Sequence, residues 1–311
     1  MSDLILHHYS NSPFSEKIRL IFGAKKLAWK SVIIPAIMPK PDVLALTGGY
    51  RKTPILQIGA DIYCDSALIA KRLDQLAPAP ALFPAASAGA AFALSQWADT
   101  FLFQVAVAHV FKPANLAHMF GNAPGTLDAF QKDRAAMRVN ATNRRISSLE
   151  AMAVAQSFLT EFDRQLASGA RFAAGSELSV ADFSVYHCLW FMRRAPSAAK
   201  VLEPYTHITA WMQRMNDFGP GPHTEITSAE AVHAAQHAKP QSYAQPQDAG
   251  DIRVGDPVEV LPTDYGIDPT PGHLVTCTAD EVVIRRIDPR ATDVHVHFPR
   301  IHYEVRKSVT A

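Results

Sequence analysis

Ser12-Pro13-Phe14-Ser15-Glu16-Lys17-Ile18-Arg19 directly follows an apolar run, Leu4 to Leu6, that is typical of a β-strand. Beyond it the apolar residues recur at helical spacing, at Phe14, Ile18, Ile21 and Phe22. Pro13 suits the first helical turn, where backbone N–H groups have no partner within the helix. Ser12 is therefore predicted to lie at the N-terminus of an amphipathic helix that follows a strand.

A hydroxyl at the start of a helix is suited to stabilising an anion. It can donate a hydrogen bond to an anion that the free N–H groups and the helix dipole also attract, and a thiolate is such an anion. Ser12 and Ser15 occupy the two positions of a Cys-x-x-Cys redox pair, which disfavours disulfide exchange through a protein cysteine here. The predicted chemistry is activation of a ligand's thiol, whose unperturbed pKa is about 8.5.

Two further segments predict a site for a peptide-like ligand. In Lys52-Thr53-Pro54-Ile55-Leu56 a proline begins an apolar strand, which is natural where backbone edge groups stay free to bind a peptide. A β-hairpin is predicted next, from Ile55 to Cys64 around Gly59-Ala60-Asp61. Asp65-Ser66 then precedes a helical run. Ser66 is predicted as its N-cap, binding a carboxylate with the following N–H groups, while Asp65 would pair with an ammonium.

These motifs, at these separations, resemble the glutathione-binding domain of the glutathione S-transferases, and the serine-type, bacterial-like members most closely. The resemblance implies a thioredoxin-like α/β domain with glutathione as co-substrate. It implies that Ser12 donates a hydrogen bond to the glutathione sulfur and that Thr53, before a cis-Pro54, pairs with the tripeptide backbone. Asp65, where Glu is more usual, and Ser66 would bind the γ-glutamyl end. Lys52 and Lys40 would meet the glycyl carboxylate.

Tyr9 is the alternative to Ser12 as the catalytic residue. It follows the first strand, near the position at which tyrosine-type relatives keep their activating hydroxyl. Ser12 is preferred because its place at the helix start and its spacing to Arg19 match the serine-type pattern.

An all-helical domain is predicted from the apolar patterns between Ala90 and Phe218. Ser179-Val180-Ala181-Asp182 forms a capping box and resembles the capping motif of the family's helical domain. The resemblance implies that some aromatic residues of this domain line the electrophile side of the cleft. The candidates are His109, Phe111, Phe120 and Trp190.

The chain after Asp251 changes to four short β-prone runs that predict a small all-β module: Val258 to Leu261, His273 to Thr278, Val282 to Ile287 and Val294 to Phe298. The predicted divisions are 1–80 (thioredoxin-like domain), 86–222 (helical domain), 223–250 (linker) and 251–311 (β module). His295 and His297 alternate to one strand face, but their spacing matches no known ligand pattern, so we predict no metal site. A lid, a dimer brace and a partner-binding module remain open as roles for this part.

Composition narrows the class of protein. The 311 residues are 48% hydrophobic and carry a net charge of +1. The low net charge and the lack of a basic stripe argue against nucleic-acid binding. Three scattered cysteines suit a reducing compartment. No basic-then-apolar leader begins the sequence, and its most apolar stretch, Phe92 to Phe111, is interrupted by polar residues, so we expect a cytoplasmic protein without a membrane partner.

The predicted function is a glutathione transferase that attacks a small electrophile, with a homodimer and a detoxifying role implied by the resemblance. Two alternatives stay open. One is a non-catalytic binding or dimerisation protein whose β module carries the function, because a fold does not guarantee an activity. The other is a glutathione-dependent peroxidase or isomerase, which uses the same thiolate.

Overall fold

The computed structural model of the protein describes residues 2–121 and 123–308. Its first part alternates strands and helices: β1 (Leu4–His8), α1 (Pro13–Ala24), β2 (Trp29–Ile33), α2 (Pro41–Thr47), β3 (Ile55–Ile58), β4 (Asp61–Cys64) and α3 (Ser66–Leu76). β1 pairs parallel with β2 and antiparallel with β3, and β3 pairs antiparallel with β4. This is the predicted thioredoxin-like unit, a βαβ segment followed by a hairpin and a helix.

A helical domain follows, as predicted. It consists of α4 (Ala88–Trp97), a π-helical turn (Ala98–Leu102), α5 (Phe103–Val110), α6 (Pro113–Phe120), α7 (Thr126–Met137), α8 (Ser148–Ala167), α9 (Val180–Arg193), α10 (Pro196–Ala199) and α11 (Thr206–Asn216). α9 is the central helix and packs against both α1 and α4. Its predicted capping box is confirmed, with the Ser179 N–H donating to Asp182 Oδ2 at 2.9 Å. Trp211 Nε1 donates to the other carboxylate oxygen at 3.1 Å, which ties the start of α9 to α11.

The segment 223–250, predicted as a linker, differs from that prediction. It contains β5 (His223–Glu225), which pairs parallel with the outer edge of β2, and α12 (Ser228–Gln236), which packs on α2. Ala231, Val232 and Ala235 form the buried face of α12. The segment folds because β5 pairs with the free edge of β2 and the apolar face of α12 packs on α2. Both partners belong to distant parts of the chain, so the sequence of the segment alone does not indicate them.

The C-terminal β module joins the first sheet and is not a separate body. It comprises β6 (Pro257–Pro262), β7 (Thr270–Cys277), β8 (Glu281–Asp288), β9 (Thr292–Pro299) and β10 (Tyr303–Lys307). β9 pairs parallel with β4, so that one sheet runs β10-β6-β7-β8-β9-β4-β3-β1-β2-β5. The sequence runs predicted four of these five strands and missed β10.

Two hydrophobic cores lie on opposite faces of this sheet. Alternate residues of β1 point to different sides, since Leu6 joins the core under α1, α3 and the helical domain while Ile5 joins the core under α2, α12 and the β module. None of the helices in the described ranges is long and apolar enough to cross a bilayer.

Candidate functional site

A cleft of about 1800 Å³ lies between the thioredoxin-like domain, the helical domain and the β module. Its lining includes Ser12 and Thr53 from the first of these, Phe111 from the second and Tyr265 and Tyr303 from the third. The three parts of the chain thus enclose one site.

Ser12 caps α1 from the floor of this cleft. Its Oγ accepts a hydrogen bond from the Ser15 N–H at 3.2 Å, and its own N–H donates to the Tyr9 carbonyl at 3.1 Å. Because Oγ serves the helix as an acceptor, its hydroxyl proton is left to donate to a ligand. Ser12 is only 2% exposed although it lines the cleft. Tyr9 lines the cleft as well, so the structure brings both catalytic candidates to the site.

The Thr53–Pro54 peptide bond is cis, and both residues line the cleft. Lys40 lies beside them, since its Nζ donates to Thr53 Oγ1 at 3.1 Å. Burial, followed by the nearby charge of Arg134, lowers the pKa of Lys40 to about 8. Within the described residues no carboxylate lies within ion-pair distance of Lys40, although the charge of Asp133 is near enough to act on its pKa. A ligand carboxylate at this point would therefore meet a cation that has no direct ion-pair contact.

The cap of α3 differs from the prediction, because Asp65 and not Ser66 is the N-cap. Asp65 Oδ1 accepts from the Ala67 N–H at 2.9 Å, and Ser66 is the first helical residue. Asp65 has a φ of +76°, an uncommon conformation for a residue with a side chain that is often found at functional sites. Ser66 Oγ accepts from Lys17 Nζ at 3.4 Å, which leaves its proton for the cleft.

A buried ionic group behind Ser66 joins α1 to the helical domain. Lys17 Nζ lies 2.5 Å from Asp99 Oδ2, and His187 Nε2 lies 3.0 Å from Asp99 Oδ1. Burial alone would raise the pKa of Asp99, but Lys17 and His187 outweigh it and lower the pKa to about 2. Asp99 therefore stays ionised and fixes Lys17 against the cleft.

The β module contributes contacts that the sequence did not predict. The Tyr303 hydroxyl donates to Asp65 Oδ2 at 3.1 Å and lies 3.2 Å from the Tyr50 hydroxyl. Asp264 Oδ1 accepts from Lys52 Nζ at 2.8 Å, and the Lys52 ammonium lies 4.1 Å from the centre of the Tyr265 ring. Two residues predicted to bind glutathione thus already have partners from the module.

Of the four electrophile-side candidates, two line the cleft. Phe111 and Phe120 pack with Phe130 into an aromatic wall, with ring centres 5.7 and 4.9 Å from that of Phe130. His109 and Trp190 do not line it, contrary to the prediction. His109 is 1% exposed and its Nε2 lies 3.4 Å from the Ala151 carbonyl of α8, while Trp190 is 8% exposed in the helical core.

The histidine pair of β9 lies at the seam with β4. His297 Nε2 lies 3.0 Å from Asp61 Oδ1 and His297 Nδ1 lies 3.1 Å from Glu281 Oε2. Over residues 2–121 and 123–308, no group of three or more His, Cys, Asp or Glu side chains is arranged to bind a metal ion.

Two protein-family models and several solved structures match this chain. Residues 6–81 match the family model of the glutathione S-transferase N-terminal domain, and residues 113–214 match that of the C-terminal domain. The crystal structure of a GST-like protein from Pseudomonas syringae is similar to this chain, with 38% identity and a TM-score of 0.83, over 99% of this chain and all of that one. No curated protein sequence matches the chain.

More distant structures share the fold of the first two domains. A glutathione S-transferase from Rhodospirillum rubrum is 20% identical over 68% of this chain and 87% of its own, with a TM-score of 0.52. Gtt2 from Saccharomyces cerevisiae is 19% identical over 68% of this chain and 95% of its own, with a TM-score of 0.51. Both family models and the full-length similarity to the Pseudomonas protein lead to one conclusion: the chain belongs to the glutathione S-transferase family.

Proposed function

We propose that the protein is a glutathione transferase that ionises the glutathione thiol at Ser12 and directs it at a small electrophile. The observation that carries this proposal is the position of the Ser12 hydroxyl, at the N-terminus of α1 and on the floor of a cleft that also contains Thr53 and Asp65. The cleft thus contains the start of a helix, a hydroxyl that can donate its proton, and groups that can bind a peptide-like ligand.

Ser12 would stabilise the thiolate by one oriented hydrogen bond together with the positive end of the α1 dipole. A hydrogen bond to a charged group contributes roughly 1.5–3 kcal/mol, which lowers a thiol pKa by about one to two units. From an unperturbed pKa of about 8.5, a shift of that size brings the thiol pKa to about 6.5–7.5, so roughly a quarter to three quarters of the bound glutathione is thiolate at pH 7. The thiol proton leaves to water, and the thiolate attacks an electrophilic carbon of the substrate. As the carbon–sulfur bond forms, either a leaving group departs with its bonding electron pair, or a carbon–carbon π bond opens and the resulting carbanion takes a proton from water.

The tripeptide would lie along the surface between Asp65 and Lys40. Asp65 would pair with the γ-glutamyl ammonium, and the Ser66 hydroxyl and the free N–H groups of α3 would bind the neighbouring carboxylate. The backbone of Thr53, before Pro54, would pair with the cysteinyl peptide groups. Lys40 and Lys52 are the candidates for the glycyl carboxylate. Lys40 lacks a carboxylate partner among the described residues, whereas Lys52 is paired with Asp264.

The aromatic wall of Phe111, Phe120 and Phe130 supports an apolar electrophile. The three side chains line the same cleft as Ser12 and are half-buried. An aromatic or aliphatic substrate packed there would cover apolar surface that now faces the cleft, at about 25 cal/mol per Å² buried.

Family membership further supports a homodimer, a cytoplasmic location and a detoxifying role as parts of this proposal. Light scattering from a size-exclusion column tests the assembly. A mass of 68 kDa, twice the 34.0 kDa of one chain, is expected, and a monomer at micromolar concentration would contradict the dimer.

A second candidate is a non-catalytic binding protein of the same fold. The contacts of Asp264 with Lys52 and of Tyr303 with Asp65 favour it, because the module already occupies groups that glutathione would use. Peroxide reduction or isomerisation would start from the same thiolate, so a substrate screen separates those reactions from conjugation.

Ser12→Ala, with Tyr9→Phe as the matched loss of a cleft hydroxyl, tests the catalytic assignment. We expect Ser12→Ala to lower kcat/KM about ten- to a hundredfold and to reduce the ultraviolet absorbance of the bound thiolate at neutral pH. Tyr9→Phe should change both by less than about threefold. Full activity of Ser12→Ala would exclude the serine role, and loss in Tyr9→Phe alone would move that role to the tyrosine.

A further inference from the structure

The loop 263–266, between β6 and β7, borders the cleft, whose lining includes Thr263, Asp264 and Tyr265, and we call this loop the strap. On one side it is anchored to the helical domain by backbone hydrogen bonds: the Thr142 N–H donates to the Asp264 carbonyl at 2.8 Å, and the Gly266 N–H donates to the Met137 carbonyl at 2.7 Å. Gly266 has a φ of +59°, a conformation that favours glycine. The backbone of the strap is thus held without any help from the Asp264 side chain.

On the other side the strap presents a carboxylate to the thioredoxin-like domain. Asp264 Oδ1 lies 2.8 Å from Lys52 Nζ, and the Tyr265 ring covers the same ammonium at 4.1 Å. The side chains of Lys52 and Asp264 are 14% and 30% exposed, so the pair borders the cleft and is not buried beneath it. A carboxylate on a lysine at this point is the chemistry expected of the free carboxyl end of a peptide ligand.

We propose that Asp264 is a specificity-determining residue, which occupies on Lys52 the place of the ligand's terminal carboxylate and must be displaced when a carboxylate-ended thiol binds. This inference rests on the proposed function. Asp264 reduces the advantage that a terminal carboxylate gives to a ligand, so the site accepts thiols with an uncharged end nearly as well as glutathione.

The geometry favours displacement over a permanent contact. The anchors at Thr142 and Met137 keep the strap in position after the Asp264 carboxylate loses its partner. A partly exposed ion pair is also weak, because water and salt screen it, and a ligand carboxylate can therefore replace it at modest cost. The alternative is that the ligand carboxylate goes to Lys40 alone, in which case Asp264 has no part in selection.

Calorimetric titration of the full-length protein separates these cases. The two probes are reduced glutathione and its glycinamide analogue, which differ only in the terminal carboxylate. The variants are Asp264→Asn and, as the matched control, Asp280→Asn. Asp280 is another module carboxylate at the cleft, 2.6 Å from Lys71, so the control removes the same charge from a different lysine of the same domain. Thermal unfolding verifies that each variant is folded.

We expect Asp264→Asn to bind glutathione about three- to tenfold more tightly than the wild type does, with less than a twofold change for the glycinamide. Asp280→Asn should change neither affinity.

The inference is overturned if Asp264→Asn gives no gain, or gains equally for both probes, or if Asp280→Asn gains as much. These results leave glutathione binding by the wild type intact and so reject only the role of Asp264. If no variant binds either probe, the proposed function fails, and the inference that rests on it fails too.

Discussion

Replacing His297 by glutamine should loosen the seam between the β module and the thioredoxin-like domain in a pH-dependent way. His297 is fully buried on β9, where its ring stacks on Tyr63 with ring centres 4.2 Å apart. Its two nitrogens contact Asp61 of β4 and Glu281 of β8. Burial alone would lower the pKa of His297, but the hydrogen bonds and charges of Asp61 and Glu281 outweigh it and raise the pKa above 6.5.

The direction of the pH dependence follows from this raised pKa. A base whose pKa is higher in the folded than in the unfolded state contributes its full stabilisation below the unfolded pKa, here about 6.5, and loses it as the pH rises through the folded pKa. The difference in unfolding free energy between the wild type and His297→Gln should therefore be largest at about pH 6 and shrink toward pH 9.

The magnitude can be bounded from the geometry. Removing one partner of a buried ion pair costs about 3–5 kcal/mol. The Asp61 and Glu281 side chains are 11% and 23% exposed, so water partly solvates these carboxylates after the substitution and reduces the loss of unfolding free energy. We expect a loss of about 2–3 kcal/mol near pH 6 and about 1 kcal/mol near pH 9, where the neutral ring keeps one hydrogen bond.

Urea unfolding followed by circular dichroism from pH 5.5 to 9 measures this difference. His295→Gln is the control, because burial lowers the pKa of this neighbouring histidine. The pH dependence that His295 gives to the unfolding free energy therefore runs in the opposite direction, with stability lost as the pH falls. A difference for His297→Gln that is constant with pH, or that grows toward pH 9, would refute the reasoning.

Two further predictions concern the ligand and the module. Because the pKa of Lys40 is lowered to about 8, binding of S-methylglutathione, which has no titrating thiol, should weaken as the pH rises above that value. The ligand's own ammonium also titrates in this range, so Lys40→Met should reduce this dependence to the part that the ammonium contributes. Titration from pH 7 to 9.5 measures both profiles, and an identical pH profile in the variant would exclude Lys40. Phe298→Ala should cost about 3–5 kcal/mol of unfolding free energy, because the fully buried ring packs 5.8 and 5.7 Å from the Tyr50 and Tyr303 rings. Urea denaturation measures this cost, and a loss below about 1 kcal/mol would contradict the packing of the module on the thioredoxin-like domain.

The local parts of the fold could be predicted from the sequence because short-range signals determine them. Pro13 and the spacing of Ile18 and Ile21 were sufficient for the start and the buried face of α1. Ser179 and Asp182 were sufficient for the start of α9. In each case the residues that decide the structure lie within a few positions of each other.

Long-range features could not be predicted, since nothing local encodes them. The parallel pairing of β4 with β9 and the contact of Tyr303 with Asp65 join residues more than 200 positions apart, as do Asp264 and Lys52, which are separated by 212. Helical spacing also leaves open which neighbour a face meets. For this reason His109 was predicted in the cleft, although it packs against α8.

The cap of α3 shows a third kind of limit. Asp65 and Ser66 are both good capping residues, and the choice between them depends on the backbone conformation at Asp65, which has a positive φ. The turn that follows β4 determines this conformation, and the residue types alone do not predict it.

Calorimetric titration of wild type and Asp65→Asn with reduced glutathione tests the central claim most directly. Asparagine keeps the cap of α3 but removes the charge that would pair with the γ-glutamyl ammonium. We expect saturable binding to the wild type, weakened about tenfold or more in the variant. Absence of binding to the wild type, or equal affinity in both proteins, would contradict the proposed glutathione site.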